Sequence, residues 1–283
     1  MRTFLNKLRT RLRRLRNLAD VSENPISFTK YYSGRPPGTE LNLRYQPTPS
    51  TEALPVPPRD LWLGYGQDDA SYLESGKTDV DAMLAILQSV GWAHQPDQPI
   101  LDLGCGGGRM IRHLRSIAEK TPVWGMDISA PHISWLKTRL VPPFHFATNT
   151  TLPHLPFPDN HIGLVYCGSV FTHIDELAES WFMEVQRTLA PGGYLFCTLH
   201  DEHTREKLMS DPSQPLARSL RGHDLINSGV TVPDILVLGQ DANSNVFYHS
   251  RYLHAMLAPL FEVVKIVPGA YGYQTAWVLR KRA

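Results

Sequence analysis

The eleven residues ILDLGCGGGRM at 100–110 constrain this chain more than any other segment. A short apolar run, Ile100 to Leu103, enters a turn made of Gly104, Gly106, Gly107 and Gly108. Glycine lets the main chain turn tightly and lets a ligand approach it with no side chain between them. Beyond the turn, Met110, Ile111, Leu114 and Ile117 recur at helical spacing. Strand, glycine turn and helix together open a βαβ unit whose ligand sits at the carboxyl end of the strand. The next apolar run, Val123 to Met126, ends in WGMDIS and so carries Asp127 at its tip, 23 residues after Gly104. A carboxylate there can accept hydrogen bonds from both hydroxyls of a ribose.

The alternation continues along the chain. Phe144–Ala147, Ile162–Tyr166 and Tyr194–Leu199 read as strands. Helices are expected from Thr78 and Asp79 to a stop at Gly91, from Ser129 through Leu136, and from about Asp175 to Leu189, closed by Pro191-Gly192-Gly193. A last helix at Ser250–Leu257 precedes Phe261–Val267 and Gln274–Leu279, an antiparallel pair joined by PGAYGY. The fold class is therefore α/β: a doubly wound, mostly parallel sheet with an antiparallel edge strand and helices on both faces. Residues 202–249 are too long for a simple connection, so this insertion is expected to shape an acceptor pocket or lid.

Charge is spread unevenly. Residues 1–20 hold seven basic side chains and one acid, a contribution of +6, so against a formal total of +1 the other 263 residues carry −5. Phe4, Leu5, Leu8, Leu12, Leu15 and Leu18 fall on one helical face with arginines opposite, a basic amphipathic helix. It suits an anionic membrane surface, an acidic partner, or the protein's own body. A proline-rich arm follows, giving an expected division into 1–58 (helix and arm) and 59–283 (body). The acidic body, with no basic stripe, speaks against nucleic acid. With 42% hydrophobic and 19% charged residues the chain is not of the disordered class. No apolar run reaches the ~18 residues of a membrane span. Three widely spaced cysteines and no apolar leader point to a reducing cytoplasm.

Two cofactor classes use a strand, glycine turn and ribose-binding acid. A nicotinamide dinucleotide site wants G-x-G-x-x-G, and here the sixth position is Arg109. The run from Asp102 instead resembles motif I of the class I S-adenosylmethionine-dependent methyltransferases, close to D-x-G-C-G-x-G. The acidic strand end at Asp127, LPFPDNHIGLVYCGSVFTHI (155–174) and LAPGGYLF (189–196) follow in that family's order, and the resemblance covers roughly 78–283.

The resemblance implies a Rossmann-like body that binds S-adenosylmethionine. It places Gly104 and Gly106 against the methionine part with Asp102 bordering it, Asp127 on the ribose, Ile128 over adenine, and Asn149 and Thr150 at the adenine edge. Cys167 and Gly168 follow the fourth strand, where backbone approaches the sulfonium; the Cys167 side chain itself reads as a small buried hydrophobe. His173 is a candidate base or acceptor-orienting group, or alternatively a brace for its loop. His200, with Asp201 and His203 behind it, is a second candidate on the same edge. No metal is expected, since no set of acids from several strands is present. The implied reaction is methylation, at oxygen, of a small-molecule or sugar-containing acceptor; a hydroxyl acceptor needs a base. The alternatives are an NAD(P)-dependent oxidoreductase and a non-catalytic cofactor-binding module tethered by its basic helix.

Overall fold

Among the described residues nine segments form the sheets: β1 (Ile100–Leu103), β2 (Val123–Asp127), β3 (His145–Thr148), β4 (Ile162–Cys167), β5 (Leu189–Leu199), β6 (Ile235–Leu238), β7 (Asn245–Tyr248), β8 (Phe261–Tyr271) and β9 (Gln274–Lys281). They come from a computed structural model that describes residues 53–174, 176–211, 213–222, 234–239 and 244–282. The amphipathic helix, the arm as far as residue 52, the expected helix start at Asp175 and most of 223–243 lie outside the described residues.

Seven strands make one sheet in the order β3-β2-β1-β4-β5-β9-β8, and β6 and β7 form a separate hairpin. β1 pairs in parallel with β2 and β4, and β4 with β5, while β9 runs antiparallel to both β5 and β8. The order reverses beside β1, so the carboxyl ends of β1 and β4 diverge into a crevice there. Side chains alternate between the faces. Leu101, Leu103, Val165, Cys167, Leu195 and Cys197 enter one core layer; Ile100, Leu164, Tyr166, Tyr194 and Phe196 enter the other. Asp102 therefore falls on the second face, in register with Tyr166 of β4.

The α-helices among the described residues are α1 (Asp69–Ser89), α2 (Arg115–Ala118), α3 (Ala130–Arg139), α4 (Ala178–Thr188), α5 (Glu202–Ser210), α6 (Pro215–Arg221) and α7 (Ser250–Leu257). Val80, Met83 and Leu87 of α1 join the second layer with Ile133 and Leu136 of α3. Trp181, Phe182 and Val185 of α4 join the first with Leu253 and Leu257 of α7.

Several boundaries differ from the sequence expectation. α1 begins at Asp69, ahead of Thr78, because the Asp68 carboxylate accepts the Ser71 N–H while the Ser71 hydroxyl accepts the Asp68 N–H, a capping box. Gly91 does end this helix region, at φ +86°. The helix expected after the glycine turn is a 3-10 turn, Ile111–Leu114, running into the single turn of α2. Ser129 sits at the N-cap of α3, yet its hydroxyl meets His132 Nδ1 at 2.6 Å and caps nothing. β5 starts at Leu189 and runs through Pro191-Gly192-Gly193, with a register shift against β4. β8 likewise absorbs Pro268–Tyr271, leaving Gly272 and Tyr273 as the turn. Pro268 is tolerated because β8 is the edge strand.

Gly76 lies in the middle of α1, where glycine is normally a weak helix former. A Cβ there would collide with the Arg109 carbonyl oxygen, so the helix rests directly on the backbone of the glycine turn. Gly76→Ala would add up to about 1 kcal/mol to an unobstructed helix. Here it is expected to lower the urea midpoint, and a raised midpoint would show that the helix and turn are not in contact.

Candidate active site

β1 delivers the chain into Gly104 at φ +82° and Gly106 at φ +50°, left-handed conformations that side chains resist. Gly104 is exposed, and a Cβ on it would collide with Val170 beyond β4. Asp127 fixes the turn from the neighbouring strand: one oxygen accepts the Gly106 N–H and the other accepts the Ser129 N–H, both at 2.8 Å. Each oxygen keeps a lone pair for a further donor. Asp102 is buried beneath, and its Oδ2 has no hydrogen-bond partner. Burial raises its carboxyl to about 7; the Tyr166 hydroxyl opposes the rise, the Asp127 charge adds to it and Arg109 opposes it. At the end of β3, Asn149 donates through Nδ2 to the Thr150 carbonyl, and its Oδ1 is also buried without a partner.

Residues 55–66 pass over the outer side of this turn. Arg112 donates to the Pro55 carbonyl at 3.1 Å, Trp62 Nε1 donates to the Pro57 carbonyl at 2.7 Å, and His132 Nε2 meets the Leu61 carbonyl at 3.1 Å. A Cβ on Gly107 would come within 2.7 Å of that same carbonyl oxygen. Leu63, at φ +54° and 66% exposed, reaches within 3.2 Å of where a Gly106 Cβ would sit. Ile128, next to Asp127, is 56% exposed. Two large apolar side chains are thus left in the open beside the glycine turn and the β2 tip, ready to cover a flat apolar group.

Arg109, the residue in place of a third glycine, is buried and ion-paired with Asp79 of α1 at 2.6 Å. Its guanidinium stacks 3.9 Å from the Tyr65 ring centre and donates to the Tyr271 hydroxyl. That hydroxyl lies 3.0 Å from the Tyr65 hydroxyl. The Tyr271 ring in turn closes on Gly168, where a Cβ would fall 3.0 Å from ring carbons.

After β4 the chain makes a strained step at Ser169, a non-glycine residue at φ +61°. It is held by the Ser169 N–H to Thr198 Oγ1 bond at 2.7 Å and by the Gln274 amide donating to Ser169 Oγ at 2.8 Å. Cys167 is fully buried, with its thiol directed to the Phe196 carbonyl. His173 is exposed and its Nδ1 lies 2.7 Å from the Ser244 carbonyl oxygen. A carbonyl can only accept, so Nδ1 carries a proton, and in the neutral ring Nε2 has the lone pair. His200, the second candidate on this edge, lies in different surroundings. It is 1% exposed under Phe247 and Tyr273, with no hydrogen bond to either ring nitrogen, and burial, helped by nearby His173, lowers it to about 3. It is neutral at physiological pH. Among the described residues no group of three His, Cys, Asp or Glu side chains could hold a metal ion, and no helix is long and apolar enough to cross a membrane.

The structure thus brings Asp102, Gly104, Gly106, Asp127 and Ile128 together, with Asn149 and Thr150 joined to the β2 tip by the Asn149 N–H to Asp127 carbonyl bond. Gly168 borders the same ground through Tyr271. Leu63, Tyr65 and Tyr271 lie outside the sequence motifs of the site; the glycines beside each of them, in WLGYG and GAYGY, are the signal that marks them. Orphaned buried acceptors at Asp102 and Asn149, exposed main chain at Gly104, and spare lone pairs on Asp127 fit a ligand carrying a cationic amine, a ribose and an amino-bearing base.

A family model described as a methyltransferase domain matches residues 101–197. Among solved structures, an S-adenosylmethionine-dependent methyltransferase from Methanosarcina mazei is similar, with 20% identity over 70% of this chain and 97% of its own, at a TM-score of 0.50. Magnesium protoporphyrin IX methyltransferase from Synechocystis PCC 6803, solved with bound SAH, shares 16% identity over 80% of this chain and 92% of its own, at a TM-score of 0.51. At these identities the two structures are likenesses of fold.

In the ligand-free protein, Asp102 keeps between pH 3.8 and about 7 a proton that the unfolded chain has released. Stability therefore falls as pH rises through that window, and the loss is complete above it. Urea midpoints at about pH 5 and about pH 8 should show Asp102→Asn gaining on the parent protein at the higher pH. A difference independent of pH would mean that the folded protein ionises Asp102 normally.

Proposed function

We propose that this chain, whose residues 101–197 match a methyltransferase domain, is a class I S-adenosylmethionine-dependent methyltransferase that takes S-adenosylmethionine as cofactor and methylates a hydroxyl of a small-molecule or sugar-containing acceptor. When bound, the cofactor supplies a methyl group made electrophilic by its sulfonium. The observation that carries the oxygen reading is His173: its Nδ1–H is committed to the Ser244 carbonyl, which leaves an exposed imidazole with a free Nε2 lone pair beyond the carboxyl end of β4. In this reading Nε2 accepts the acceptor's hydroxyl proton. His200, buried and neutral, serves as a wall behind it.

The free lone pairs of Asp127 receive the ribose hydroxyls, Gly104 and Gly106 with Asp102 border the methionine part, and Ile128 covers the adenine. Asn149 Oδ1, with Thr150 beside it, meets the adenine edge. Gly168 and the main chain at Cys167 border the sulfonium. The β6–β7 hairpin, within the insertion at 202–249, holds His173 through Ser244 and is in place to choose the acceptor. A small acceptor agrees with the −5 charge outside residues 1–20, which is unsuited to nucleic acid. We place the protein in the cytoplasm, with residues 1–20 as its contact to an anionic surface.

His173→Ala is expected to lower methyl transfer to phenol and sugar hydroxyls by roughly 10²-fold or more, with S-adenosylhomocysteine affinity within about twofold of the parent. Undiminished transfer would assign deprotonation elsewhere. Asp127→Ala should weaken S-adenosylhomocysteine binding by about tenfold, the loss of a charged hydrogen bond; unchanged calorimetric affinity would place the ribose elsewhere. Removing residues 1–20 should reduce sedimentation with phosphatidylserine vesicles while leaving cofactor affinity intact, and equal sedimentation would refute the surface contact.

A further inference from the structure

The hydrogen bonds around Arg109 have only one consistent direction. A guanidinium can only donate, so the Tyr271 oxygen is the acceptor of that bond. Tyr271 is buried, and its own hydroxyl proton has one acceptor within reach among the described residues, the Tyr65 oxygen at 3.0 Å. Were Tyr65 to donate instead, the Tyr271 proton would be buried unpaired, at a cost of about 1 to 3 kcal/mol. The chain of donation therefore runs from Arg109 to Tyr271 to Tyr65, and it ends there. Among the described residues the Tyr65 proton has no partner of its own, and Tyr65 is only half buried. The Arg109 guanidinium stacked on its ring holds this phenol in place.

The donor stands in a defined place. Leu63, two residues earlier, lies against Gly106, and Tyr271 lies against Gly168. Tyr65 therefore spans the gap between the glycine turn and the loop after β4, the end of the cleft that the proposed function gives to the methionine part. On that reading, the group at that end needing a strong donor is the carboxylate of the amino-acid tail.

We propose that the Tyr65 hydroxyl receives this carboxylate, oriented for it by Tyr271 and Arg109. Asp79 neutralises most of the Arg109 charge, so the recognition is by a directed hydrogen bond more than by net charge.

Calorimetry on the full chain tests it with two probes. S-adenosylhomocysteine carries the tail, and 5′-methylthioadenosine keeps the adenosine and the sulfur without it. Tyr65→Phe preserves the ring under Arg109 and is expected to weaken S-adenosylhomocysteine about tenfold while leaving 5′-methylthioadenosine within about twofold, which also shows that the variant is folded. Equal losses for the two probes, or no loss for either, would overturn the proposal. A parent protein that binds neither probe would instead remove the cofactor assignment on which it rests.

Discussion

The glycine turn after β1 is crowded by main chain and side chain on three sides, and everything else at the site depends on that crowding. α1 sets Gly76 against the Arg109 carbonyl, the segment before α1 sets the Leu61 carbonyl against Gly107, and Val170 presses on Gly104. No Cβ can be added at any of these contacts without displacing a neighbour. The turn therefore holds its left-handed residues by steric confinement from outside as well as by the Asp127 bridge within. Such confinement prepays the ordering of a loop that must present bare backbone to a ligand.

Much of the sheet was legible because its strands are buried on both faces and read as unbroken apolar runs, as in Ile162–Tyr166. The crevice was legible for the same reason: a run of glycines after a buried strand has few other uses. What escaped was set by partners distant in sequence. The start of α1 turned on a capping box whose Asp68 and Ser71 lie outside any apolar period. β5 and β8 run through Pro-Gly segments because neighbouring strands supply the pairing that local propensity would deny.

The two candidate histidines show a similar divide. In the sequence His173 and His200 both follow strands on the same edge of the sheet. Burial separates them: the β6–β7 hairpin seals His200 beneath Phe247, while it offers His173 only a carbonyl and so fixes which nitrogen keeps the proton. Arg109 was legible as the absence of a glycine, and its positive role became visible only when Asp79, Tyr65 and Tyr271 were seen around it.

Tyr65 and Tyr271, which meet at one end of the cleft, stand 206 positions apart along the chain, and Arg109 and Tyr271 stand 162 apart. Contacts of such separation carry a large loop-closure cost and form after local structure has reduced it. During synthesis the turn, the β2 tip and the loop after β4 all leave the ribosome well before Tyr271 does. The residues on which Tyr271 closes are therefore all synthesised before it, and this end of the cleft is complete only once the β8–β9 hairpin has docked.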